Sequence, residues 1–287
     1  HILVCLDGDC RLRKDYLQAW REIFSVEKVD AAVMQFEHRT TEAVSALNRG
    51  ILAYEAHLRY YHHLQHVCGY PHAMQAIGSC LGVRADFYEK IGGMNTRKAG
   101  EDFYFLQKCQ LNGVVVHARN SRVYPSNRVS DRVPFGTGRA LQEFLEDHTQ
   151  LTYHYSSVSI VKKVIHTLSA SSYSADEMWS HLPASIHPFF HEQGLYTHWQ
   201  ESARHTKSTD AFQKRIFRWF HPFRLMKLMH FLRDEAHPNI PIEEALRWYF
   251  SYRNQEWPGR ISSALLQLRK WGESDGIWKK WGSGRSV

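Results

Sequence analysis

The chain has 287 residues, of which 43% are hydrophobic and 23% charged, and a formal net charge of +7; this is enough for one large domain or two small ones with a sizeable core. No segment reaches the ~18 uninterrupted apolar residues of a membrane span. The basic charge comes without an RNP-like motif, zinc-finger spacing or a long Lys/Arg block, which argues against nucleic acid as a partner.

Cys5, Cys10, Cys68, Cys80 and Cys109 are odd in number and lack CxxC spacing. Several lie in apolar stretches, so reduced thiols and a cytoplasmic location are expected. The chain opens directly into the apolar run Ile2–Leu6, which reads as a buried central strand. A strand of that kind seldom starts a folded chain, so a preceding segment is expected. The run ends in Asp7-Gly8-Asp9.

A helix follows over about 14–24, with Tyr16, Leu17, Trp20 and Phe24 on its buried face. Ala31 to Phe36 reads as a second strand. Thr40 or Thr41 is expected to cap a long helix ending near Val67, before Gly69-Tyr70-Pro71. A short strand near 79–84, a helical turn from Asp86 to Ile91 and Gly92-Gly93 come next. A helix opened by Glu101-Asp102 stops at Asn112-Gly113, and Val114 to Val116 returns to the sheet. Alternating strands and helices with short Gly-containing connections predict an α/β fold. From about residue 140 helical periodicity dominates, and 158–174 is the least regular stretch, expected to hold a linker. The predicted division is therefore 1–139, α/β, and 140–287, mainly helical.

The carboxyl ends of strands are where open α/β sheets bind ligands. In an extended strand Asp7 and Asp9 share a face, and two carboxylates without a basic neighbour invite a divalent cation, Mg²⁺ or Mn²⁺. A turn with two solvated Asp residues has the same spacing. Glu101 and Asp102 open an amphipathic helix, where the helix dipole is expected to keep Asp102 ionised and able to accept a proton. Acidic first turns are also common without any chemistry.

Together these features resemble glycosyltransferase family 2, of the GT-A fold. The resemblance covers roughly residues 1–139: an apolar strand ending in Asp-x-Asp, Tyr16-Leu17, and the ordered set Gly82, Arg84, Phe87, Ile91-Gly92-Gly93-Met94, Glu101-Asp102, Lys108 and Gly113. Met94, Phe105 and Lys108 stand where that family usually has Phe, Leu and Arg. The resemblance implies an inverting transfer from a nucleotide-diphosphate sugar to a glycan, lipid or protein acceptor. Asp9 and Asp7 would hold the metal, Asp102 would be the general base, and Glu101 would orient the acceptor or support Asp102. Gly92 and Gly93 would line the substrate site. The polymer-forming branch carries Gln-x-x-Arg-Trp, which is absent here, so transfer of single sugars is implied. In this fold strand–helix units precede the metal motif, about 90 residues at ~30 per unit, and without them weak donor binding or inactivity is implied.

Arg128, Arg132 and Arg139 flank Gly136-Thr137-Gly138 and suit diphosphate or acceptor phosphate oxygens; helix capping or pairing with Asp131 and Glu143 is the plainer alternative. His62 and His66 stand one turn apart with no evident third ligand, so surface histidines are favoured over a metal site. Residues 211–233 carry six Lys/Arg and no acid. Peripheral contact with an anionic membrane fits this, but a pair of core helices broken at Pro222, with solvated arginines, fits better. Two rival functions stand beside the transferase. In a haloacid-dehalogenase-like phosphatase Asp7 would be the nucleophile and Asp9 the acid/base. Alternatively, a GT-A remnant would act as a non-catalytic binding module.

Overall fold

The computed structural model describes residues 1–40, 45–96, 99–129 and 136–282. These form two compact units, the first from residues 1–60, 75–151 and 241–287, the second from 61–74 and 152–240. The expected division after residue 139 does not coincide with them. The helices after Pro241 belong with the sheet.

Unit 1 is mixed α/β. Its strands are β1 (Ile2–Val4), β2 (Arg11–Leu12), β3 (Ala31–Phe36), β4 (Leu81–Arg84) and β5 (Val115–Tyr124), in the spatial order β1-β4-β3-β5-β2. The pairing of β3 with β5 is parallel and the other three are antiparallel. Every residue of β3 is buried, as its mostly apolar run demands of a strand covered on both faces, with the one polar residue, Gln35, hydrogen-bonded to Arg122 and Glu273. β1 has the same composition but lies at the sheet edge, with Leu3 42% exposed. The expectation of a buried central strand at Ile2 is therefore corrected. A short apolar run does not say where in a sheet it pairs, and the central place is taken by β3.

β1 and β2 lie on opposite edges, four strand spacings apart, which is about 19 Å in a flat sheet. The connection from Val4 to Arg11 reaches at most about 23–25 Å when extended. It is not extended, because the Cys10 N–H donates to the Asp7 carbonyl at 3.1 Å in a tight turn. The sheet meets this constraint by curling.

Helix α1 (Tyr16–Phe24) buries Tyr16, Ala19, Trp20, Ile23 and Phe24. Leu17, expected on that face, is 74% exposed, one helical step off the stripe set by Trp20 and Phe24. Trp20 packs so closely that a methyl on Gly82 would lie 2.6 Å from its ring, which accounts for a glycine inside β4. Helix α2 (Ala46–Val67) is capped by the Ser45 hydroxyl, which accepts from the Asn48 N–H at 3.1 Å. The cap thus falls later than expected at Thr40, and Thr41 lies outside the described residues. α3 (Ala85–Lys90), α4 (Glu101–Asn112) and α5 (Thr137–Asp147) follow.

Unit 2 is helical: α6 (Ser156–Ser169), α7 (Ala175–His181), α8 (His187–Glu192), α9 (Leu195–His205), α10 (Thr209–Trp219) and α11 (Pro222–Glu235). The stretch expected to be least regular forms α6, with Val158, Val161, Val164, Ile165 and Leu168 buried at helical spacing. Pro222 is the first residue of α11, where its missing N–H costs nothing. α12 (Ile242–Tyr252) and α13 (Ile261–Ser274) return to unit 1. No described helix is long and apolar enough to cross a membrane.

Candidate active site

The strand directions bring several chain segments to one edge of the sheet. β3 and β5 run parallel, so Phe36 and Val123 finish side by side, while Tyr124 pairs with Arg11 at the start of β2. β4 runs against β1 and β3, so the residues just before Leu81 reach the same edge as those just after Val4. Asp7-Gly8-Asp9-Cys10, the 3₁₀ turn Gly78–Cys80, and His38 and Arg39 after β3 all stand there.

Asp7 and Asp9 are exposed, and their carboxylates together with the Cys10 thiol place ligand atoms within 4.8 Å of one another. The two carboxylates converge through a turn and not along an extended strand, as first expected, because the Cys10 N–H closes onto Asp7. The donor set suits a divalent cation in its oxygens, with Cys10 adding a softer donor. The premise that no basic group stands nearby is also corrected. Arg128 Nε lies 2.9 Å from Asp9 Oδ2. Burial pushes the Cys10 thiol pKa up and the charges of Asp7 and Asp9 add to the rise, while Ser79 opposes it.

Ser79 is the middle residue of the turn whose first residue, Gly78, faces Asp102. A methyl on Gly78 would lie 3.4 Å from Asp102 Oδ2. Asp102 is in the first turn of α4 and accepts from the Phe103 N–H at 2.7 Å. Burial raises its pKa above the ordinary carboxylate value, and Glu101 adds to the rise, against the lowering by the backbone N–H groups of Phe103, Asp102 and Gly78. The helix-start N–H groups act on Asp102 in the expected direction, but burial is the larger effect and the net shift is upward. Cys5 senses both halves of the site: burial raises its thiol pKa, and Asp102, Asp7 and Glu101 raise it further. Tyr54 of α2 is also near Asp102. Burial, then the Asp102 charge, lift its phenol to about 12, with Thr137 as a hydrogen-bond partner.

Gly92 and Gly93 both have positive φ, 73° and 61°. Lys108 Nζ donates to the Gly93 carbonyl at 2.7 Å and to Asn95 Oδ1 at 2.9 Å, tying this turn to α4. Arg84 binds the Phe24, Val26 and Val29 carbonyls, a structural duty at the end of α1. Arg139 pairs with Glu143 along α5 at 2.9 Å, the plainer of its two expected roles. Arg132 lies outside the described residues.

Behind the edge is a charge network that the motif reading missed. Glu55 of α2, fully buried, accepts from the His38 N–H at 2.8 Å, Arg59 Nε at 2.7 Å and Arg269 Nε at 2.9 Å. Burial alone would raise its pKa, but Arg59, His38 and Arg269 hold it well below the carboxylate range. Arg269 and Glu273, both on α13, connect to β3 and β5 through Glu37 and Arg122. No family model, curated protein or solved structure matches the chain.

Proposed function

We propose that the chain carries the catalytic part of an inverting, GT-A-type glycosyltransferase that moves single sugars from a nucleotide-diphosphate donor to a hydroxyl-bearing glycan, lipid or protein acceptor. The observation that carries this reading is that the Asp7–Asp9 turn and the turn whose Gly78 faces Asp102 stand at one end of the sheet. A direct displacement at the anomeric carbon needs one protein base, and Asp102 suits that task. A carboxylate whose pKa is raised by burial is a stronger base than an exposed one. The acceptor oxygen forms the new bond to the anomeric carbon, the bond to the diphosphate breaks, and the acceptor proton passes to Asp102. Glu101 borders the acceptor side.

Asp7 and Asp9 would hold Mn²⁺ or Mg²⁺, which neutralises charge on the departing diphosphate. Arg128 meets the donor from the Asp9 side as a fixed cation suited to phosphate oxygens. In a phosphatase led by Asp7, the half-buried Asp102 has no task, and this favours transfer. The test is nucleoside diphosphate release from a panel of nucleotide sugars with Mn²⁺ and mixed hydroxyl acceptors, on the full-length protein and its Asp102→Asn variant. Release that depends on acceptor and is lost in the variant supports transfer. Silence with every donor, or release of phosphate from monoesters abolished by Asp7→Asn, would overturn it.

A further inference from the structure

His62 and His66 stand one turn apart near the end of α2, where their spacing alone pointed to surface histidines. Half of that expectation is corrected. His66 is exposed, but His62 is 1% exposed and lies on the interior side of the helix. Residues four apart on a helix are neighbours, and here the contact is made through the rings. The two Nε2 atoms are 3.2 Å apart, and the ring centres are 4.8 Å apart at an interplanar angle of 66°.

Two neutral imidazoles at this distance share one hydrogen bond, at the long end of the usual range. The same 3.2 Å is also the bite of a chelate. With metal–nitrogen bonds of about 2.0–2.1 Å it gives a nitrogen–metal–nitrogen angle of about 100–106°, near the tetrahedral value that Zn²⁺ adopts. The ring positions agree with this. Imidazoles aimed head-on through these nitrogens would have centres about 5.5 Å apart, and imidazoles converging on one ion about 5.0 Å apart. The observed 4.8 Å matches the converging arrangement. Chelation then needs only that the bridging proton pass to Nδ1 of the donor ring.

The burial of His62 helps in a second way. A ring already fixed in the interior loses little further freedom when it becomes a ligand, while the exposed His66 gives an ion a route from solvent. Imidazole nitrogen suits Cu²⁺ and Zn²⁺, whereas Mg²⁺ prefers oxygen. His63 stands where a zinc protease has its glutamate, so that chemistry is not on offer. Among the described residues no third His, Cys, Asp or Glu completes a cluster with the pair, and the remaining positions fall to water or to a ligand from outside.

We propose that His62 and His66 form a two-imidazole chelate for a borderline divalent transition ion, Cu²⁺ or Zn²⁺. The ion braces the last turn of α2, which ends at Val67. The site uses none of the residues of the Asp7–Asp102 edge and does not depend on the transferase reading.

The chain holds 19 histidines, so binding is read against single variants. The full chain is titrated with Zn²⁺ by calorimetry in excess Mg²⁺, and with one equivalent of Cu²⁺ for electron paramagnetic resonance. One saturable Zn²⁺ site is expected, weakened at least tenfold in His66→Asn and unchanged in Asp9→Asn. The Cu²⁺ spectrum should show hyperfine splitting from two nitrogens, lost in His66→Asn. Amide exchange at residues 66–68 should slow with Zn²⁺ in wild type and not in the variant. His66 is exposed, and circular dichroism verifies that the variants fold. Saturable binding of Cu²⁺ alone, lost in His66→Asn, also supports the chelate and assigns it to the stronger imidazole-binding ion. A tightest site unchanged in His66→Asn, one abolished by Asp9→Asn, or no saturable binding of either ion would overturn the proposal.

Discussion

Arg128 Nε and Asp9 Oδ2 lie 2.9 Å apart, so the cation facing the Asp-Gly-Asp turn is supplied by the protein itself. The arginine is 63% exposed, and an ion pair in that setting contributes only about 0–1 kcal/mol to stability. Its effect falls on ligands. On the proposed transferase reading, a divalent cation would compete with Arg128 for Asp9, and a bound diphosphate would compete with Asp9 for Arg128. In Arg128→Gln, Mn²⁺ binding should tighten several-fold, and nucleotide-sugar binding should weaken by about tenfold. Electron paramagnetic resonance titration of Mn²⁺ and donor KM read the two effects. The thermal midpoint should stay near wild type.

Asp102→Asn should lower kcat by about 10²–10⁴-fold, the usual range for a lost general base. Its effect on stability should have the opposite sign. A carboxylate whose folded pKa is raised by burial destabilises the fold at every pH above that value and ceases to do so as pH falls below it. The amide avoids the charge, so Asp102→Asn should be no less stable than wild type at pH 7 in urea titration. If the proposed transfer holds, wild-type kcat/KM should fall as pH drops through a midpoint above the ordinary Asp value of about 3.9.

Glu55 carries the opposite sign. Its depressed folded pKa gives stability that is fully present above the unfolded carboxylate value, about 4.3, and is lost as pH falls through the folded one. Glu55→Gln leaves Arg59 and Arg269 buried beside a neutral group. The expected cost is about 3–5 kcal/mol at pH 7. Urea midpoints measured from pH 7 to pH 3 should show a weaker acid dependence in the variant than in wild type.

Gly93 has φ 61° and a methyl there would meet the Tyr88 ring at 2.9 Å. Gly93→Ala should destabilise by about 1–2 kcal/mol from backbone conformation alone, with the contact adding to it. Because Lys108 holds the Gly93 carbonyl, the start of α4 should loosen as well. Hydrogen exchange across 101–106 should rise relative to the rest of α4.

Much of unit 1 was legible because its signals are local. β3 declared itself by six consecutive residues fit for burial, and α4 by an acidic start and a glycine stop. β1 had the same apolar text and a different fate, since edge or centre is decided by partners 80 residues away. Leu17 and α6 show the same limit, because a helix face is chosen by what it packs against. Within the candidate site, Asp7, Asp9 and Asp102 were singled out from residue type and order. Their electrostatics were not. The partner of Asp9 comes from residue 128, and the upward shift of Asp102 comes from burial, which outweighs the N–H groups of the helix start. Ser79, Tyr54 and Glu55 left no sequence signal, having only ordinary residue types in ordinary elements.

The short connection between the two outermost strands also limits how far the sheet can open. Its length ties the roll of the sheet to the spacing of the carboxylates it carries, so slack introduced anywhere along it reaches both. Two glycines inserted between Leu6 and Asp7 would let the outer strands relax apart. Spin labels on β1 and β2 would read the widening directly, and metal affinity would decline with it although no ligating side chain had been changed.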